Sequence, residues 1–168
     1  MSRWNVVGDA LVNPRLGVEL GVKEGRFTAY MLRTFPDIHM VAVDLWQVRP
    51  GVDQPFGFET YSNWDFGDIR TRFNRAIEGW ENRCTVHNMD TQEAAALYDD
   101  AIFDFVFIDA EHTYEGVRDD IAAWRSKVKP GGLLCGHDYD ENFVGVRKAV
   151  DELGKITLGE NAVWMLRC

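Results

Sequence analysis

Four acidic residues stand in or just after short apolar runs. Glu19 lies in Leu16-Gly17-Val18-Glu19-Leu20, Asp44 closes His39-Met40-Val41-Ala42-Val43, Asp109 follows Ile102–Ile108, and Asp138 follows Leu133–Gly136. Asp90 lies just past a fifth run, Arg83–His87. Carboxylates gathered in one place are unfavourable unless something compensates them. At the rim of a crevice they point to ribose hydroxyls, a cation or a bound metal. Gly21 and Gly25 follow the first run, with Val22-Lys23-Glu24 between them. Glycine allows a positive φ and a close approach of ligand to backbone. A helix N-terminus behind such a turn favours an anion, so the site suits a nucleotide or an amino-acid carboxylate. Asp44, at the end of the next run, stands where an acid grips ribose hydroxyls. The glycine spacing departs from Gly-x-Gly-x-x-Gly, which argues against a nicotinamide-dependent dehydrogenase.

The elements that must hold these residues alternate along the chain. Arg15–Leu20, His39–Asp44, Arg83–His87, Ile102–Ile108, Leu133–Gly136, Lys155–Leu158 and Ala162–Arg167 read as strands. Gly25–Arg33, Trp64–Trp80, Thr91–Leu97, Tyr114–Val128 and Glu141–Leu153 read as helices. Phe66, Ile69, Phe73 and Ile77 share one helical face, and Asp90 or Thr91 can cap the helix behind it. Lys129-Pro130-Gly131-Gly132 closes the helix before the fifth strand. Continuous apolar strands mark a parallel sheet covered on both faces. The fold class is α/β, doubly wound, with the last strand antiparallel. In such sheets ligands bind beyond the carboxyl ends of the strands, at the switch point. Trp46–Asn63 has no clear period and reads as a lid or an interface loop.

The chain has 168 residues, 46% of them hydrophobic and 27% charged, with a net charge of −9. That length fits one domain, residues 1–168, with a short N-terminal segment at 1–14. An acidic balance argues against nucleic acid as a partner. No apolar run approaches the roughly 20 residues of a membrane span, and Met1-Ser2-Arg3-Trp4-Asn5 leads into no signal-peptide core. A cytoplasmic protein without a membrane partner is expected. Cys84, Cys135 and Cys168 are then reduced thiols. Trp4, Trp46 and Trp64 are candidates for substrate stacking or a dimer face, whereas Trp80, Trp124 and Trp164 belong to the packing. Lys127 and Lys129 complement a helix dipole. Asp99-Asp100 and Asp119-Asp120 read as solvated surface, and His39 and His87 carry no chemistry.

Val18–Gly25 resembles the first motif of class I methyltransferases that use S-adenosylmethionine, and Ala42-Val43-Asp44 resembles the second. Met89-Asp90-Thr91-Gln92 is similar to the adenine-side motif. Phe107-Ile108-Asp109-Ala110-Glu111-His112-Thr113-Tyr114 and Lys129–Tyr139 resemble the branch of metal-assisted and macrolide sugar O-methyltransferases. The resemblance covers about residues 15 to 167 and implies a seven-stranded, Rossmann-like methyltransferase sheet. It implies that Glu19, Gly21 and Gly25 shape the pocket for the methionine part of the cofactor. Asp44 would bind the ribose, and Asp90 and Thr91 would face the adenine. Asp109 would sit beside the methyl and, with His137 and Asp138, ligate a divalent metal such as Mg or Mn. His112 stands where this branch carries its general base. The donor is a sulfonium ion, so the enzyme mainly aligns donor and acceptor. A cation lowers the acceptor pKa, and an imidazole takes the proton.

Two features depart from that pattern. His137-Asp138 replaces a pair of adjacent acids, and histidine suits Mn, Fe or Zn better than Mg. Met1–Asn13 leaves room for one short helix, so a partner subunit or the 46–63 loop covers the acceptor, or the acceptor is large and exposed. The expected activity is O-methylation of a small hydroxylated molecule, a sugar or natural product, by a chain that can form a homo-oligomer. A metal-independent N- or carboxyl-methyltransferase and a non-catalytic cofactor-fold subunit are the alternatives.

Overall fold

The computed structural model describes residues 2–48 and 63–168, together with the backbone of 55–56 and 59–60. Seven strands form one sheet in the order β5-β2-β1-β6-β7-β9-β8. They are β1 (Leu16–Leu20), β2 (His39–Val43), β5 (Cys84–His87), β6 (Phe103–Ile108), β7 (Val128–Gly136), β8 (Thr157–Leu158) and β9 (Trp164–Arg167). The first five are parallel to one another, and β9 runs antiparallel to both β7 and β8. The chain winds from β1 outward to β2 and β5, then returns to build β6 and β7 on the other side. The switch point therefore lies between β1 and β6. A separate two-residue pair, β3 (Pro55–Phe56) with β4 (Glu59–Thr60), lies in the stretch expected to be irregular. The lid-or-interface expectation for 46–63 falls mostly outside the described residues.

Side chains alternate across the strands, as a pleated sheet buried on both faces requires. Met40, Ala42, Phe105, Phe107, Leu133 and Cys135 face one core, shared with α1 (Arg3–Asp9), α2 (Arg26–Thr34) and α3 (Phe66–Ala76). Val18, Leu20, Val41, Val43, Val106, Ile108 and Leu134 face the other, shared with α4 (Thr91–Ala95), α5 (Tyr114–Trp124) and α6 (Val144–Asp151). The helices start where the chain supplies a cap. Ser2 and Asn5 form a capping box on α1, Asp65 accepts from Asp68 N–H on α3, and Thr113 accepts from Gly116 N–H on α5.

Four local expectations are corrected. Pro130-Gly131-Gly132 does not close a helix but lies inside β7, as a bulge between the pairs Phe103–Val128 and Phe105–Leu133. Lys127 and Lys129 do not serve a helix dipole; they pair with Asp100 and Asp104 at 2.8 and 2.7 Å. Trp46 is too buried for a dimer face, at 7% exposed, and stands in the cavity wall instead: its indole packs on Phe73 under the Arg70 guanidinium and donates to the Lys23 carbonyl. Asp120 is not solvated surface, being 1% exposed. Its Oδ1 accepts from the Thr91 hydroxyl and, at 2.6 Å, from the Gln92 amide.

Burial pushes the Asp120 carboxyl up to about 7, against the two hydrogen bonds that hold it down. The folded state therefore keeps this proton longer than the unfolded chain does. Stability contributed by the neutral form is lost as pH rises from about 4 to about 7. The Asp120→Asn protein keeps an acceptor for Thr91 and Gln92 and has nothing to ionise. Its melting temperature should fall less steeply over that interval than that of the parent, measured by thermal denaturation in matched buffers. Parallel curves would contradict the assignment.

Candidate active site

The pairing register decides what meets at the carboxyl edge of the sheet. Leu20 is level with Val43 and with Ile108, Val43 with His87, and Ile108 with Gly136. The first residue beyond each of the five strands is therefore Gly21, Asp44, Asn88, Asp109 or His137, all in one row. A cavity of about 410 Å³ opens on this row, with Glu19, Gly21, Asp44, Asp90, Thr91, Asp109 and His112 in its wall.

On the β1–β2 side the acids are held by N–H donors. Glu19 is 3% exposed and points toward the start of α2, where Oε2 accepts from the Thr28 amide at 3.0 Å and from its hydroxyl. The strand carboxylate thus caps a helix whose N-cap, Gly25, has no side chain to do so. Burial pushes Glu19 up to about 8. Asp44 accepts from Lys23 N–H at 2.8 Å and Trp46 N–H at 2.6 Å, one on each oxygen. The Val22 N–H also acts on this carboxylate, and the two oxygens together offer about four lone-pair directions. Burial raises its pKa against those bonds.

The glycine turn works differently from the expectation of an open anion cradle. Gly21 N–H donates to the Val43 carbonyl at 2.9 Å and Gly25 N–H to the Val22 carbonyl at 2.8 Å. Both are spent within the chain. What the glycines supply is shape. Gly21 has φ +80°, and a Cβ there would stand 2.2 Å from the Asp109 carbonyl oxygen. A Cβ at Gly25, φ +73°, would meet the Phe73 ring at 2.6 Å. On the β5 side Asp90 caps α4 through Gln92 N–H at 2.9 Å. Thr91 reaches the cavity wall, but its hydroxyl is committed to Asp120, away from any ligand.

On the β6–β7 side the acids are held by side-chain cations and imidazoles. His112 Nε2 lies 2.7 Å from Asp138 Oδ2 and 4.0 Å from Asp109 Oδ1. His137 Nδ1 lies 2.7 Å from Asp138 Oδ1 and 4.0 Å from Asp109 Oδ1. Asp138, at φ +60°, is thus clasped between two imidazoles. Burial would raise its pKa, and the bonds from His112 and His137 outweigh that and hold it below the usual carboxylate range. Burial raises Asp109, and the Arg3 guanidinium opposes the rise. Asp109, His137 and Asp138, expected as metal donors, do come together, with one donor atom of each within 4.8 Å of the others.

The residue that sequence reasoning missed is Arg3, the first of α1. Its Nη1 stands 3.0 Å from His137 Nδ1 and 3.4 Å from Asp109 Oδ2. Asn88 was missed too; its amide donates to the carbonyls of Asp44 at 3.3 Å and Leu45 at 2.7 Å and fixes the turn after β2.

The sequence model of a methyltransferase-domain family matches residues 18–139. No curated protein matches the chain in sequence. Among solved structures, the fold is similar to that of the TDP-rhamnose 3'-O-methyltransferase CalS11 of calicheamicin biosynthesis. The TM-score is 0.65 at 16% identity, over 97% of this chain and 75% of that one. It is similar to the O-methyltransferase NovP, with a TM-score of 0.67 at 18% identity, over 96% and 74%. It is also similar to the 1,6-didemethyltoxoflavin-N1-methyltransferase of Burkholderia thailandensis, solved with S-adenosylhomocysteine. There the TM-score is 0.57 at 18% identity, over 82% and 51%.

The tight approach at Gly21 has a measurable consequence. In the Gly21→Ala protein the new methyl meets backbone rather than a movable side chain, at a φ that L-residues avoid. It should lose about 3 kcal/mol of stability in denaturant titration. A loss under about 0.5 kcal/mol, the level of an ordinary surface substitution, would show that the turn is not constrained.

Proposed function

The chain belongs to this methyltransferase-domain family and is an S-adenosylmethionine-dependent methyltransferase, and from that premise we propose that it methylates an oxygen of a small hydroxylated acceptor, such as a sugar or natural product. The observation that carries the proposal is His112, which lines the same cavity as Asp44 and Glu19 and is held from behind by Asp138 at 2.7 Å. The cofactor supplies a sulfonium methyl, which passes to the acceptor oxygen as the carbon–sulfur bond breaks and a thioether is left.

The donor half fits such a cofactor. The remaining lone pairs of Asp44 suit ribose hydroxyls, and Gly21 lets the turn after β1 lie against the Asp109–Ala110 backbone at the cavity wall. Buried Glu19 and Asp109 lie where a cationic ligand would relieve the cost of their burial. Asp90 and Thr91 line the part of the cavity we assign to the adenine, and the Thr91 hydroxyl proton is spent on Asp120.

The acceptor half supplies the base. With Nε2–H donating to Asp138, the neutral His112 ring carries its lone pair on Nδ1. That nitrogen takes the acceptor proton, and the Asp138 carboxylate stabilises the imidazolium that forms. Asp109 lies beside the methyl and orders the acceptor side.

A divalent metal fits less well. Its donors are present, but two of them, Asp109 and His137, already face a guanidinium nitrogen. A doubly charged cation about 4 Å from that guanidinium would be repelled by about 8 kcal/mol at an effective dielectric near 20. No step is routed through a metal. This observation favours the metal-independent reading, in which the acceptor is an oxygen, nitrogen or carboxylate that needs no Lewis acid.

Calorimetric titration with S-adenosylhomocysteine tests the premise at its centre. One saturable site is expected, weakened about tenfold to a hundredfold in Asp44→Ala, the worth of a charge-assisted hydrogen bond. His112→Ala should bind within about twofold of the parent. With an acceptor found by methyl-transfer assay over hydroxylated small molecules, the same change should cut kcat by about a hundredfold or more. A protein giving neither heat nor thermal shift with that ligand sinks the proposal.

A further inference from the structure

We propose that Arg3 holds the place of a cation against Asp109 and His137, beside Asp138, so that the acceptor half works with a charge supplied by the chain rather than by a metal. The inference rests on the methyltransferase reading for what the site does, but not for where the guanidinium sits.

Three observations support it. First, the guanidinium nitrogen touches two of the three residues, Asp109 and His137, directly. Arg3 Nη1 is 3.0 Å from His137 Nδ1 and 3.4 Å from Asp109 Oδ2, and His137 Nδ1 is 2.7 Å from Asp138 Oδ1. A ring nitrogen serves one of these neighbours at a time. Protonated, it donates to Asp138; deprotonated, it accepts from Arg3. In either form it has no lone pair to spare for a metal while Arg3 stays.

Second, Arg3 is delivered by an anchored element. It opens α1 behind the Ser2–Asn5 capping box. Val7 of the same helix is fully buried in the core. Asn5 Nδ2 donates to the Tyr30 hydroxyl at 3.3 Å, and a Cβ at Gly8 would already touch that hydroxyl at 3.0 Å. The Arg167 guanidinium bonds to the Ala10 carbonyl just past the helix end. A helix seated at both ends does not carry its first residue out of the site without losing core contacts.

Third, the cation remains usable. The Arg3 side chain is 36% exposed and lines the cavity with Glu19, Asp109 and His112. A guanidinium presents five donors in a planar fork, and one nitrogen accounts for the contacts above. The other donors of the fork are left for an acceptor oxygen that develops negative charge in the cavity, which His112 also lines. A guanidinium cannot give up its own proton there, so it holds charge without competing with His112.

The test reads cation occupancy directly. Mn²⁺ is titrated into the full-length protein and free Mn²⁺ is followed by its electron paramagnetic resonance signal. The parent should bind no Mn²⁺ at millimolar metal. Arg3→Ala, and Arg3→Met with its apolar stem kept, should each gain a site at least tenfold tighter. That gain should disappear when Asp109→Asn is added. Binding of Mn²⁺ by the parent that is lost in Asp109→Asn overturns the proposal. So do Arg3 variants as blind to Mn²⁺ as the parent. S-adenosylhomocysteine is titrated into the same samples. Heat with that ligand confirms that the variants are folded. Its absence from the parent defeats the methyltransferase reading by itself, whatever the Mn²⁺ signal does.

Discussion

Five parallel strands ending level is the constraint from which the rest follows. Because Leu20, Val43, His87, Ile108 and Gly136 share one register line, the residues after them must share one crevice. A slip of one residue in any strand would exchange the side chains it sends to the two cores and carry its acid out of the row. The alternating cores prevent the slip: Phe105 and Phe107 belong to one side, Val106 and Ile108 to the other. The same packing that stabilises the sheet therefore fixes where Asp44 and Asp109 stand. It also forces a cost, since carboxylates in a crevice lose water.

The chain offsets that cost in two ways, and the division follows the two halves of the sheet. On the β1–β2 half the acids accept uncharged donors: Glu19 from Thr28, Asp44 from Lys23 and Trp46 amides. Asp120, behind α4, is handled likewise by Thr91 and Gln92. On the β6–β7 half the donors are cationic or able to become so: Arg3, His112 and His137. The asymmetry lies in what bonds the acids, not in which charges line the cavity, since Lys23 and Arg26 stand in its wall on the β1–β2 half.

Much of this was legible in the sequence. The apolar runs and the helical period at Phe66, Ile69, Phe73 and Ile77 place strands and helices because burial imposes those periods. The row of acids follows once the strands are placed. What was not legible depended on partners remote in sequence. Arg3 reaches Asp109 and His137 only through tertiary structure, and a lone arginine near a terminus has no period to betray it. Lys127 and Lys129 read as partners of their own helix, whereas the carboxylates they meet belong to the neighbouring strand, Asp104 within β6 and Asp100 just before it. The glycine turn was read as a donor of N–H groups; the sheet ladder had already claimed Gly21, through Val43. Asp120 did carry a signal. Val117, Asp120, Ile121 and Trp124 fall on one helical face, all of them buried, so an acid in that apolar pattern marks a buried hydrogen-bonded group, not a solvated one.

The two halves have opposite uses under the proposed reaction. A donor that carries positive charge is best held where acids keep lone pairs directed at the cavity, as Asp44 does. An acceptor that becomes negative is best held where a fixed cation and a base stand together, as Arg3 and His112 do. Fixed charges aimed at developing charge need no rearrangement as the reaction proceeds. A metal could provide the same field, but it would have to compete with a side chain that the fold already seats. The electrostatic asymmetry across the switch point, rather than any single residue, is then what orients the methyl transfer, and it arises because α1 covers one edge of a sheet whose register had already collected the acids.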